Sequence, residues 1–142
     1  MLFYGDEIGY TNDYSFQNDP GKSYDNRWMH RPVIDWEKVR KVEIEGSIEN
    51  RVFFGTKKLL EIRKQKPLFS DSSNISWLSP HNIHVAGFIR RLGNERVYCL
   101  FNFCDKVANL TWYAFREQGE GAEKLKDLWS GAEFGIALTM SI

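Results

Sequence analysis

The chain has 142 residues, 42% hydrophobic and 27% charged, and its 19 basic residues balance its 19 acidic ones. A globular domain of this length buries about 70% of its unfolded surface, enough for a core without metals or disulfide staples. Zero net charge argues against a nucleic acid or an anionic membrane as partner, because both draw affinity from clustered Lys and Arg, and no stretch approaches the about 18 consecutive apolar residues that span a bilayer.

The chain opens on Met1-Leu2-Phe3-Tyr4, a short apolar run that stops at Gly5-Asp6-Glu7. A run without alternation reads as a strand buried on both faces, as in parallel sheets, and so as one piece of a larger sheet. No basic region of a signal peptide precedes it. With only Cys99 and Cys104 present and no disulfide framework, the expected compartment is reducing and cytoplasmic.

From Tyr10 to about Gly46 neither period is sustained, while Asn12, Asp13, Asn18, Asp19, Pro20, Gly21, Asp25, Asn26 and Pro32 supply turn chemistry. Loops of this length are uncommon unless functional. Tyr14, Phe16, Tyr24, Trp28 and Trp36 give this one the anchors that linkers lack. Ser47 then reads as the N-cap of an amphipathic helix over 47–65, with Ile48, Val52, Phe53, Leu59, Leu60 and Ile62 on one stripe and Pro67 ending it.

Beyond Pro67 the period changes to two. Ile83, Val85, Gly87 and Ile89 alternate with His84, Ala86 and Phe88. Val97, Cys99, Phe101 and Phe103 alternate with Tyr98, Leu100 and Asn102, and Leu92-Gly93-Asn94-Glu95 lies between as a hairpin turn. Further strands are expected at 106–114, 124–129 and 134–140, with turns at Gly119, Gly121 and Gly131. The expected fold is mainly β, with a strand, long loop and helix over 1–67 and an antiparallel β-sandwich over 68–142.

His30, His81 and His84 have no metal-ligand spacing, neither cysteine has a CxxC partner, and no phosphate cradle or nucleophile elbow occurs. No cofactor or metal is expected. Asp6, Glu7 and Asp13 lie just past the end of the opening strand, where α/β barrels place active-site groups. They read as a glycosidase pair or as acids that cap the loop. Asp6 and Glu7 are adjacent, and in extended backbone would point to opposite sides, a poor arrangement for acting on one bond. Arg27 sits among Asp19, Lys22, Asp25 and Arg31, where a buried guanidinium held by carboxylates would fix the loop or shape a hydroxyl-rich pocket. Trp77, Trp112, Tyr113 and Trp129 are either a sugar-stacking platform or core.

The run Gly5-Asp6-Glu7-Ile8-Gly9-Tyr10-Thr11-Asn12-Asp13-Tyr14, followed by Lys22-Ser23-Tyr24-Asp25-Asn26-Arg27-Trp28-Met29-His30-Arg31-Pro32, resembles the end of the eighth barrel strand in the alpha-amylase superfamily, and the amylosucrase branch in particular. The resemblance is strongest over 3–36 and extends over almost the whole chain, but only to the tail of the family's protein. It implies a retaining enzyme of α-glucosidic bonds that takes sucrose or an α-glucan as substrate. The family's catalytic carboxylates come from barrel strands four, five and seven, so no residue here is expected to be catalytic. Arg27 matches the arginine that pairs with an upstream aspartate at the floor of the glucosyl pocket. Arg27 and Asp13 are thus expected at the substrate, with Asp6, Glu7 and Asp25 as supports. Departures over 14–24 leave sucrose and malto-oligosaccharides both open.

Length argues the same way, since a (β/α)₈ barrel needs about 250 residues. The expectation is a C-terminal piece of such an enzyme, inactive alone, that self-associates through apolar surface the barrel would cover. The alternative is a carbohydrate-binding or structural β module that steadies the barrel.

Overall fold

The computed structural model describes residues 2–111, 124–135 and 139–141. The chain divides into two compact units, Met1–Leu60 and Glu61–Ile142.

The first unit is built from short turns stitched by side chains. Leu2, Phe3 and Tyr4 are exposed and form no strand, which corrects the expected opening strand. A buried strand needs ladder partners, and here the local carboxylates take the amides instead. Phe3 N donates to Asp6 Oδ2 at 2.8 Å and Gly5 N to Glu7 Oε2 at 2.9 Å. Asp6–Ile8 then closes as a 3-10 turn between Gly5 and Gly9, both at positive φ. At Gly5, with φ 90°, a Cβ would also meet Tyr10 Cδ2 at 2.6 Å, so glycine is required twice over.

Further 3-10 turns follow at Ser15–Asn18 and Asn26–His30, then the short helix α1 (Trp36–Arg40) and a turn at Lys41–Glu43. The absence of sustained periodicity over 10–46 thus corresponds to short turns, two of them capped by an aspartate: Asp25 accepts from Arg27 N, and Asp35 from Glu37 N and Lys38 N. Asp13 accepts from Ser15 N just ahead of the Ser15–Asn18 turn. Longer ties hold the turns together. Asp13 N donates to Met29 O at 2.8 Å, Tyr4 Oη to Pro32 O at 3.1 Å, and Lys38 Nζ to Gly9 O at 3.0 Å while lying over the Tyr10 ring.

The expected long helix is α2, Ile48–Gln65. Ser47 caps it, its Oγ accepting from Asn50 N at 3.0 Å and donating to Lys41 O at 2.7 Å. Pro67 opens the next 3-10 turn, Pro67–Phe69. The apolar stripe is present but little of it is covered: Val52, Phe53 and Ile62 are half-buried, and Ile48, Leu59 and Leu60 are exposed, as is Phe54.

The second unit carries the strands: β1 (Ile75–Trp77), β2 (Val85–Leu92), β3 (Glu95–Asn102), β4 (Asn109–Thr111), β5 (Lys124–Lys126), β6 (Glu133–Gly135) and β7 (Thr139–Ser141). They pair antiparallel as β1-β2-β3, β4-β7 and β5-β6. The β2·β3 hairpin closes on Leu92↔Glu95 across Gly93-Asn94, with positive φ at Gly93 (55°) and not at Asn94, the pattern of a type II′ turn. Ile83, expected on the first hairpin strand, precedes β2 and is 96% exposed. The short β1 is an addition to the sequence reading, and the expected turns at Gly119 and Gly121 lie outside the described residues.

Burial alternates along β2 as the period predicts, with Val85, Gly87 and Ile89 inward. Their partners on β3 are Asn102, Leu100 and Tyr98, so the inward face of β3 is the Tyr98/Leu100 face. Val85, Ala108 and Leu110 form a buried cluster with Leu78, Tyr98 and Leu100 packed against it. At Gly87 a Cβ would meet Leu100 Cδ2 at 2.8 Å, so a side chain here would have to push the Leu100 tip aside.

Candidate functional site

The loop that carries the expected site residues is organised around Asp25 and Arg27. Asp25 stands at the N-cap of the Asn26–His30 turn in extended backbone, which aims its carboxylate forward along the turn. Oδ1 accepts from Arg27 N at 3.0 Å and from Nε at 2.9 Å, while Oδ2 accepts from Nη2 at 2.7 Å. The carboxylate thus grips one edge of the guanidinium and the backbone behind it. Charge-assisted donors stabilise its ionised form, so these Arg27 bonds pull the Asp25 pKa down to about 2 and raise that of Arg27.

The burial is asymmetric. The Asp25 side chain is 17% exposed and that of Arg27 71% exposed, so the arginine expected to be buried is instead presented to solvent. Asp25 occupies only the Nε/Nη2 edge. Nη1 has no acceptor among the described residues, leaving a donor edge for a second anionic or hydroxyl-rich group. Lys22 lies nearby on the same loop, paired with Asp19 at 3.3 Å and placed over the Trp28 ring.

Asp13 is held by Ser15, whose hydroxyl and amide keep its carboxyl below the usual range. Its backbone follows the Arg27 turn through Met29 O, and beside it Asn12 Oδ1 meets His30 Nδ1 at 3.1 Å. No hydrogen bond or ion pair joins Asp13 to Arg27 among the described residues. Asp6 and Glu7 are not in extended backbone. Both sit in one 3-10 turn and accept from amides just upstream, Asp6 from Phe3 N and Glu7 from Gly5 N. The structure brings Asp25 and Arg27 together and leaves Asp6, Glu7 and Asp13 each bonded to a nearby backbone amide of the same unit.

A separate feature lies on the outward face of the β1-β2-β3 sheet. Trp77 pairs with Phe88 in register, and Phe101, opposite Ala86, is the diagonal neighbour of Phe88. The rings form a row with centroids 5.9 Å apart at each step, Trp77 edge-on to Phe88 at 79° and Phe88 tilted to Phe101 at 33°. Arg90 borders the row, its guanidinium over Phe88 and Phe69 and its Nη1 donating to Asp71 O and Asn74 Oδ1. Trp77 is 76% exposed and Phe101 is exposed.

Among the residues expected as a stacking platform, Trp77 thus belongs to an aromatic row. Trp129 is exposed in the turn between β5 and β6, and Trp112 and Tyr113 lie outside the described residues. Phe88 and Phe101 were not read as surface rings. Their signal was the hairpin register, which puts them on the face opposite Ile89 and Leu100.

Cys99 and Cys104 are free thiols, and burial pushes that of Cys99 up. No helix is long and apolar enough to cross a membrane among the described residues. No protein-family model matches the chain.

Proposed function

We propose that the chain forms the pocket-floor loop and the C-terminal β domain of an amylosucrase-like enzyme of the alpha-amylase superfamily, acting on the α-glucosidic bonds of sucrose or an α-glucan. The observation that carries this reading is the grip of Asp25 on Arg27: one guanidinium edge is fixed, and the other is left for an aspartate of the barrel. Fixing one edge sets the guanidinium plane before substrate arrives, which reduces the entropy lost on binding. Retaining transfer also needs two carboxylates about 5 Å apart across the scissile bond. On this reading those come from barrel sequence, while Asp13, Asp6 and Glu7 support the rim.

The exposed side chains of Leu2, Phe3, Tyr4, Leu59 and Leu60 fit a surface that a barrel covers, and the strands of the second unit fit a β-sandwich. Free Cys99 and Cys104 fit a reducing, cytoplasmic compartment. Separated from a barrel, the chain self-associates through its apolar surface. A monodisperse monomer in light scattering at high concentration would count against that.

The test is to sequence the DNA upstream of the Met1 codon. The expected result is an in-frame barrel with an Asp, a Glu and an Asp at the ends of three strands; a stop codon there overturns the proposal. In such a parent, Arg27→Ala lowers kcat/KM for sucrose about a hundredfold, the scale of one lost charge-assisted contact at a reacting sugar.

The aromatic row favours a second reading, a carbohydrate-binding module, because flat apolar ring faces are suited to the apolar faces of sugar rings. Titration of Trp fluorescence with maltoheptaose separates the two. Saturable quenching that Trp77→Ala abolishes supports the module, and its absence leaves Trp77, Phe88 and Phe101 as an interface.

A further inference from the structure

Arg91 and Arg96 stand directly opposite one another in the β2·β3 ladder. Arg91 N donates at 3.3 Å to Asn74 O, on the β1 side, so its amide is turned away from β3. The Arg91↔Arg96 pair therefore occupies a non-hydrogen-bonded position, where antiparallel backbones approach to about 4.5 Å between Cα atoms and side chains leave closest together. Like charges opposed in this way are destabilising, and a carboxylate would be expected nearby to offset them.

None does so among the described residues. Glu95, the adjacent acid, is engaged by the Lys66 ammonium. Arg96 Nη1 donates to Gly93 O at 2.6 Å and to Glu95 O at 3.1 Å, two neutral carbonyls that leave its charge uncompensated. Arg91 has no ion pair among the described residues. Tyr98 is the next residue on this face of β3, paired with Ile89, and its phenol feels both arginines: burial raises its pKa, while the charges of Arg91 and Arg96 oppose the rise. Both arginines thus stand at one end of the sheet's inward face, Arg91 half-buried and Arg96 exposed.

We propose that Arg91 and Arg96 together bind a phosphate dianion, free or as the head of a phosphomonoester. Two unit positive charges match a dianion, whereas a single carboxylate would leave one cation uncompensated. Each planar guanidinium presents paired N–H donors spaced for two phosphate oxygens. Binding removes the repulsion built into the ladder, so the anion also stabilises the hairpin. This inference is independent of the glucosidic reading, since it uses neither Arg27 nor the aromatic row.

The experiment is an NMR titration of the full chain at constant ionic strength, following the side-chain Nε–H signals of Arg91 and Arg96. Inorganic phosphate, glycerol phosphate and chloride are compared. Phosphate is expected to shift both signals saturably and to raise the melting temperature above that in chloride. Arg91→Gln weakens binding by about tenfold or more, the scale of one lost charged hydrogen bond, and abolishes the thermal shift. Arg96→Gln does the same, so a folding defect in one variant leaves the other to decide. Tighter binding of glycerol phosphate assigns the site to esters, and tighter binding of inorganic phosphate to the free ion. Equal, non-saturating shifts in phosphate and chloride overturn the proposal, as does Arg91→Gln binding phosphate like the parent.

Discussion

The two units reach order by different means. In residues 2–46 short turns close on nearby backbone carbonyls, further amides take side-chain acceptors a few positions away, at Asp6, Glu7, Asp13, Asp25 and Asp35, and the largest rings remain near the surface. In the β2·β3 hairpin the amides serve a ladder eight pairs long, and Ile89, at its centre, is wholly buried. A capped turn depends on one or two polar side chains. A ladder with a packed face depends on volume and register, and tolerates changes outside it.

This contrast can be broken most strongly at Ile89. Ile89→Ala removes a side chain with 0% exposure and is expected to cost about 2–5 kcal/mol, because the lost transfer energy adds to the cavity left behind. Urea unfolding followed by Tyr and Trp fluorescence checks it; a loss under about 1 kcal/mol would mean that the inward face repacks freely. Gly87→Ala, on the same face, is expected to cost about 1–3 kcal/mol, since the new Cβ must displace Leu100 and crowd Cys99 O at 3.3 Å.

A smaller effect is expected at the joint between the capped region and α2. Ser47→Ala removes the acceptor of Asn50 N and the donor to Lys41 O, a loss of about 1 kcal/mol. Faster hydrogen exchange at the amides of 49–51, with β2 and β3 unchanged, is the signature; uniform change across the chain would show that the helix start and the hairpin unfold together.

The smallest effect sharpens the comparison by pH. The Asp25 carboxyl is depressed to about 2 by Arg27, so the folded state holds this proton less tightly than the unfolded chain. The stabilisation it contributes is complete above the unfolded carboxyl range and is lost as pH falls from about 4 through 2. Carboxyl chemical shifts should titrate Asp25 with a midpoint near 2, and Arg27→Gln should return it towards the usual range. A normal midpoint in the parent would show that the grip on Arg27 does not persist in solution.

Much of the hairpin was legible because its signals are local and redundant. Alternation from Val85 to Ile89, Gly93-Asn94 at the turn and alternation again from Val97 all point to one register. The helix was legible for the same reason, with Ser47 and Pro67 marking its ends. The opening run Leu2-Phe3-Tyr4 misled because apolar composition cannot say whether a ladder partner exists, and Asp6 and Glu7 offered the amides a nearer one. At the candidate site, the cluster of charges around Arg27 was visible. That Asp25 is the one to grip it among the described residues, that Asp13 turns to Ser15, and that Arg27 is exposed were not, since several carboxylates lie within a few positions and only backbone direction selects among them.

The amino-acid sequence by itself determined the long helix, the hairpin and the glycines that permit their turns, because periodicity, capping and φ preference act between near neighbours. Only tertiary structure decided which face of β3 turns inward, that Trp77, Phe88 and Phe101 make one row, and that Arg91 meets Arg96. Each of these depends on which residues stand opposite across strands, and that is set by packing volume over the whole sheet rather than by any one segment.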